Sequence, residues 1–191
     1  LNGEGENSIL NAESESNVII FNQDPGVFLK YLQITGGSAE YGGGIHCRES
    51  SPQLFRVTIF GNSATYGGGL YASANSQPFL LNTTITENSV DEGGAIYCSN
   101  AKPFIVNSIL WDNTPQEIFF EQSIDTSLII ITYSDIKDSL DGIVTNNSGS
   151  VEWLSGNISE NPNFFNSLEG DFTLKDATSP CIDTRIHNQY V

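Results

Sequence analysis

Three sets of side chains in this chain recur at spacings that could support chemistry. The first set is aromatic. His46, Tyr71 and Tyr97 lie 25 and 26 residues apart, Tyr41 and Tyr66 precede glycine runs at the same step, and Trp111 shares a phase with Phe60. Flat rings in a row suit sugar rings, which stack their C–H faces on them while polar neighbours bond the hydroxyls. The second set is acidic: Glu87, Asp112 and Asp138, again at steps of 25 and 26. Carboxylates held roughly 5 Å apart repel each other, and calcium, which prefers oxygen ligands, would relieve that repulsion. Asp91, Glu92, Asp135 and Asp141 are near enough in sequence to add ligands. The plainer alternative is a splayed, solvated acidic face.

The third set could cleave or rearrange a polysaccharide. Arg56, with His46 and Arg48 one strand earlier, could supply a base and cations, and Lys102 stands alone. Asp135, Asp138 and Asp141 could supply the two carboxylates of a hydrolase. None of these groups completes a catalytic constellation. No residue is therefore assigned a catalytic role.

Side chains spaced by about 25 residues can act together only if the chain returns to the same place once per step. The repeat is therefore the scaffold. Arg56-Val-Thr-Ile-Phe-Gly-Asn62, Asn82-Thr-Thr-Ile-Thr-Glu-Asn88 and Asn107-Ser-Ile-Leu-Trp-Asp-Asn113 superpose without gaps. Tyr31-Leu-Gln-Ile-Thr-Gly-Gly37 and Tyr133-Ser-Asp-Ile-Lys-Asp-Ser139 extend the frame by one step each way. A glycine motif recurs in the same phase, at Tyr41-Gly-Gly-Gly-Ile-His-Cys47, Tyr66-Gly-Gly-Gly-Leu-Tyr-Ala72 and Glu92-Gly-Gly-Ala-Ile-Tyr-Cys98. Pro52, Pro78 and Pro103 follow these motifs, each leading into an aliphatic strand.

Aliphatic columns result. Ile34, Ile59, Ile85, Leu110 and Ile136 form one, Leu29, Leu54, Leu80 and Ile105 a second, and Ile45, Leu70 and Ile96 a third. The runs are short and alternating, which predicts strands. One coil cannot bury its own apolar face, so neighbouring coils must complete the core. No Leu-x-x-Leu-x-Leu or Gly-Gly-x-Gly-x-Asp signature occurs, which excludes the leucine-rich and nonapeptide solenoids. The expected fold is all-β: a right-handed, three-sided parallel β-helix with coils of about 25 residues. Ile85 should point inward and Tyr71 outward, and Asn62, Asn88 and Asn113 should form a hydrogen-bonded corner ladder.

Composition narrows the partners. With 23 acidic against 7 basic residues and a net charge of −16, the surface repels nucleic acid and anionic membranes. Acidic polysaccharides are disfavoured too, unless metal ions or a local basic patch intervene. The 38% hydrophobic content argues against disorder. Cys47 and Cys98 share a column two rungs apart, about 9.6 Å, which is beyond the disulfide limit of about 7 Å. With Cys181 they make no metal knuckle. No export signal opens the chain, and no apolar run approaches the roughly 18 residues of a membrane span.

We expect a single domain over residues 1–191: a first coil or cap at 1–28, regular coils at 29–140, and an irregular coil and closing segment at 141–191. The start at Leu1, in strand-like sequence, is read as part of a longer exported chain with neighbouring domains.

The motifs Gly93-Gly94-Ala95-Ile96, Phe79-Leu-Leu-Asn82 and Phe104-Ile-Val-Asn107 resemble the GGA[ILV] and FxxN repeats of polymorphic outer-membrane proteins. They are also similar to the wider set of bacterial parallel β-helix proteins of pectin-lyase-like architecture. Gly156–Phe164, Asp171-Phe-Thr-Leu and Ser179-Pro-Cys-Ile-Asp183 resemble the segment that closes many such helices. The likeness spans about Leu29 to Asp183. It departs at Gln53 and Arg56, where FxxN would have Phe and Asn, and at Thr184-Arg185, where glycine is usual.

The resemblance implies surface display, adhesion or carbohydrate contact, and no particular reaction. The expected function is thus a secreted or cell-surface structural or adhesive module. Its glycan contacts would be His46, Tyr71, Tyr97, Tyr41, Tyr66 and Trp111, with calcium the one candidate cofactor. The alternative is a lyase, epimerase or hydrolase, whose cleft would lie near Asp141 to Asn166.

Overall fold

In the computed structural model the described residues are 8–24, 26–124 and 126–182. The first residues of the expected opening coil and the end of the closing motif, from Asp183 to Arg185, lie outside them. The coil from Gln53 to Ser73 shows the plan. Gln53–Phe60 forms one bent strand, Ser63–Tyr66 the next and Leu70–Ser73 the third. The bend falls at Arg56 and the corners at Gly61 and Gly67, with φ of 50°, 61° and 67°. Glycine takes these left-handed angles without steric cost, and its column continues through Gly42 and Gly93.

Equivalent segments of successive coils stack in parallel and in register, forming a three-sided β-helix of about six turns. The first side is a ten-stranded sheet, the second has six strands and the third has three. Among the described residues the helical content is two 3-10 turns, Ser139–Gly142 and Ser167–Glu169. The segment expected to be irregular continues the stack, since Ile143 pairs with Ile118 and Gly149–Trp153 pairs along Ser127–Ile131.

Alternation explains the core. In Gln53-Leu54-Phe55 the middle residue faces inward, so both flanks face out, and every coil repeats this. Ile34, Ile59, Ile85, Leu110 and Ile136 stack as Cα partners, and all are fully buried. Each such side chain contributes roughly 1.5–3 kcal/mol. Cys47 and Cys98 flank Ala72 in the second sheet, buried and unbridged.

The asparagine ladder forms as expected. The Asn62 amide donates to Asn88 Oδ1 at 2.9 Å, and the Asn88 amide donates to Asn113 Oδ1 at 2.8 Å. Each amide also donates to backbone carbonyls of its own and the preceding coil, such as Ile34, Ile59 and Ile85. The next position is Ser139, too short to continue the ladder. Buried Glu117 closes it instead, accepting from the Asn113 amide at 2.6 Å and the Asn113 backbone N–H at 3.2 Å. Burial raises the Glu117 pKa to about 7, against the opposing pull of these two bonds.

The closing segment folds back over the outer face of the first sheet. Phe172, in the hairpin of Phe164–Asn166 with Asp171–Leu174, packs on Phe60 at 5.0 Å. The Cys181 thiol donates to buried Asp135 at 3.0 Å, three coils further on.

Candidate binding faces

The expected aromatic row exists, and two sheets build it. On the second sheet, Ile20, His46, Tyr71, Tyr97, Phe119 and Val144 occupy one outward column. Tyr41 and Tyr66 form a column on the third sheet. Across the glycine corner the columns converge, with Tyr41 edge-on to Tyr71 at 5.0 Å and Tyr66 edge-on to Tyr97 at 5.3 Å. Within the columns the rings stack: Tyr41 on Tyr66 at 5.4 Å, Tyr71 on Tyr97 at 5.3 Å, and Tyr97 on Phe119 at 5.4 Å.

This mutual packing changes the expected exposure. Tyr71 is 8% exposed and Tyr97 only 4%, although both point away from the core. The rings cover one another, leaving Tyr41 exposed and Tyr66, His46 and Phe119 partly so. Trp111 is not brought to this row; it lies half-buried on the first sheet beside Thr86. Phe119 belongs to the row but escaped the sequence reading, because its coil steps 22 residues from Tyr97 and lacks the glycine motif. The alternation of Ile118-Phe119-Phe120 was the available signal.

The row's electrostatics are acidic. A hydrogen bond from Tyr41 to Glu40, together with that residue's charge, raises the Tyr41 pKa. Burial chiefly raises Tyr71 to about 12 and lifts Tyr97 further, with Glu121 adding to both. Burial and Arg48 lower His46, so its ring is neutral at physiological pH.

Glu87, Asp112 and Asp138 do share one corner column, all in the left-handed region at φ of 55°, 58° and 61°. The Lys137 ammonium, however, donates to Asp112 at 2.6 Å and lies 5.9 Å from the Trp111 ring centre. Burial and the Asp112 charge raise the Glu87 pKa. Asp112, the middle member of the column, is thus paired with an ammonium. Among the described residues, no three His, Cys, Asp or Glu side chains assemble in a metal-holding cluster.

The three carboxylates considered for polysaccharide cleavage sit in different settings. Asp135 is bonded to Cys181 and to the Glu160 backbone, Asp138 sits in the corner column, and Asp141 lies exposed in a 3-10 turn.

A second aromatic face was not read from the sequence. Phe28, Gln53, Phe79, Phe104 and Ile130 form one outward column of the first sheet, and Lys30, Phe55, Leu81 and Val106 its neighbour. Phe28 and Phe104 are 41% and 36% exposed. The Lys30 ammonium lies 4.4 Å from the Phe28 ring centre, and the Arg56 guanidinium lies 5.5 Å from Phe55 and 5.9 Å from Tyr31. Both flanks of each inward leucine had to face out, so alternation alone could have revealed this face.

Residues 82–99 match the Chlamydia polymorphic membrane protein repeat. That segment holds Asn82, Ile85, Asn88, the Gly93-Gly94 corner and Tyr97, which are the bend, core, ladder, corner and outer face of one coil. Neither curated proteins nor solved structures give a match to the chain. No helix among the described residues is long and apolar enough to cross a membrane. By its fold and by that one coil, the chain is a parallel β-helix repeat protein resembling the repeats of a bacterial outer-membrane protein family.

Proposed function

We propose that this chain is a structural and adhesive module of the bacterial cell surface, a β-helix that carries contact faces outward and binds glycans at the tyrosine row. The observation that carries this reading is the unbroken stack. About six turns follow one another with short corners, and among the described residues no long loop interrupts the coils that carry the rings. Such a rod suits display and spacing, whereas an enzyme on this scaffold needs a cleft that surrounds its substrate. The repeat match at residues 82–99 supports an exported, outer-surface setting.

The accessible members Tyr41, Tyr66 and His46 offer ring faces, and the nearby Glu40 and Glu92 offer hydroxyl-bonding groups. This chemistry favours neutral over anionic sugars. A glycan array on the folded protein, run beside a depolymerisation screen on the same glycans, tests the reading. Retention of neutral glycans without turnover is expected. Turnover of any glycan, or retention unchanged in Tyr66→Ser, would overturn it.

A further inference from the structure

We propose that the phenylalanine face of the first sheet is a second site, one that takes carboxylated saccharide chains, with Lys30 and Arg56 holding the carboxylates. Three observations carry this. First, these two cations have no ion-pair partner among the described residues, where the pairs are Arg48–Glu49 and Lys137–Asp112. They stand one rung and one residue apart, roughly 6 Å between backbones, on a chain of net charge −16. Among the described residues, the outward column beside them carries no carboxylate from Phe28 to Ile130, and the first is Glu152 at its far end. A local basic patch is the condition under which this acidic protein could accept an acidic polymer.

Second, both cations lie over rings. Lys30 sits on Phe28, and Arg56 sits near Phe55 and Tyr31, which are themselves edge-on at 5.7 Å. Above them the Phe79 and Phe104 rings follow at 5.5 Å, tilted 60° to each other, so each rung offers one apolar ring to a sugar.

Third, the coil that carries Arg56 departs from the two coils that follow it. Asn82 and Asn107 hold the left-handed bend position, at φ of 52° and 47°, and their side chains bond to each other at 2.6 Å. Arg56 holds the same position at φ 50°, where asparagine is the better local choice. Its neighbour Gln53 replaces the column's phenylalanine with an amide able to bond hydroxyls.

The occupant follows from the face. Residues 53–55, Phe79–Leu81 and Phe104–Val106 are paired on both sides, so an extended peptide finds no main-chain partners along them. A second copy of the chain brings another −16 and is repelled. A saccharide chain needs only ring faces, hydroxyl partners and a cation per carboxylate, and all three are present.

The test is calorimetric titration of the folded protein with a uronic-acid hexasaccharide and with its neutral methyl ester. The acid should bind about tenfold more tightly than the ester, and its affinity should fall with added salt. The double variant Lys30→Gln/Arg56→Asn should lose that preference while keeping the parent melting temperature, since asparagine suits the bend. Phe104→Ser should weaken both ligands. Equal affinity for acid and ester, parent affinity in the double variant, or no binding of either ligand would overturn the proposal. So would a Phe104→Ser effect confined to self-association, which would make the face a contact between copies.

Discussion

The two aromatic faces repeat the same rung on the same solenoid and differ in almost everything that matters for binding. On the tyrosine row, side chains of two sheets converge across a glycine corner, and Tyr71 and Tyr97 are covered by their neighbours. On the phenylalanine face, one sheet presents its side chains outward, and Phe28 and Phe104 keep 41% and 36% of their surface exposed. At the row, Glu40 raises the Tyr41 pKa and burial, with Glu121 adding, raises that of Tyr97, while the face carries two cations without ion pairs among the described residues. An aromatic column is therefore packing where sheets meet and a platform where a sheet is flat. The first stabilises the rod and keeps a narrow accessible edge; the second leaves ring area for a ligand.

The largest effect should come from the core beneath both faces. Ile85→Asp places a charge in a fully buried column with no route to water, which costs more than about 4 kcal/mol. Thermal unfolding followed by circular dichroism should show no cooperative transition at room temperature. A folded variant would mean that the faces do not share one continuous core.

The faces themselves should separate next. Tyr97→Ser removes a ring packed against Tyr66, Tyr71 and Phe119 and should cost about 3 kcal/mol, and Tyr71→Ser somewhat less. Phe104→Ser, on the open face, should cost about 1 kcal/mol or less. Equal drops in melting temperature for Tyr97→Ser and Phe104→Ser would erase the distinction drawn here.

A pH scan probes the ladder that anchors the corner between the first and third sheets. Below pH 4.5 the Glu117 carboxyl is protonated whether the chain is folded or unfolded. As pH rises from 4.5 to about 7, the unfolded chain ionises while the folded one keeps its proton. Stability should fall across that window by up to about 3 kcal/mol and then level off. Glu117→Gln should lack this decline, and a parallel fall in parent and variant would show that Glu117 is not its source.

The smallest effect concerns calcium at Glu87, Asp112 and Asp138. Lys137 already neutralises Asp112, so a cation must displace an ammonium. Millimolar calcium should raise the melting temperature of Lys137→Ala more than that of the parent, and Asp112→Asn should remove the rise. Sodium at equal ionic strength producing the same shift would leave these carboxylates as a solvated acidic edge.

The sequence by itself determined the period, and with it everything that depends on phase alone. Ile85 stacks between Ile59 and Leu110, Asn88 bonds between Asn62 and Asn113, and Cys47 and Cys98 stand too far apart to bridge. A parallel stack turns equal phase into adjacency, so counting residues was enough. Only the tertiary structure decided how exposed each column is and how the ladders end. Tyr71 is buried because two sheets converge there, and Phe119 joins the row through a shortened coil. Glu117 ends the asparagine ladder from four residues away, and Phe172 returns over Phe60 from a hairpin more than a hundred residues later. These outcomes depend on the angle between sheets and on where the chain doubles back. Neither is a property of the period, because a repeat specifies which residues are neighbours along the stack and leaves open what covers them from the side.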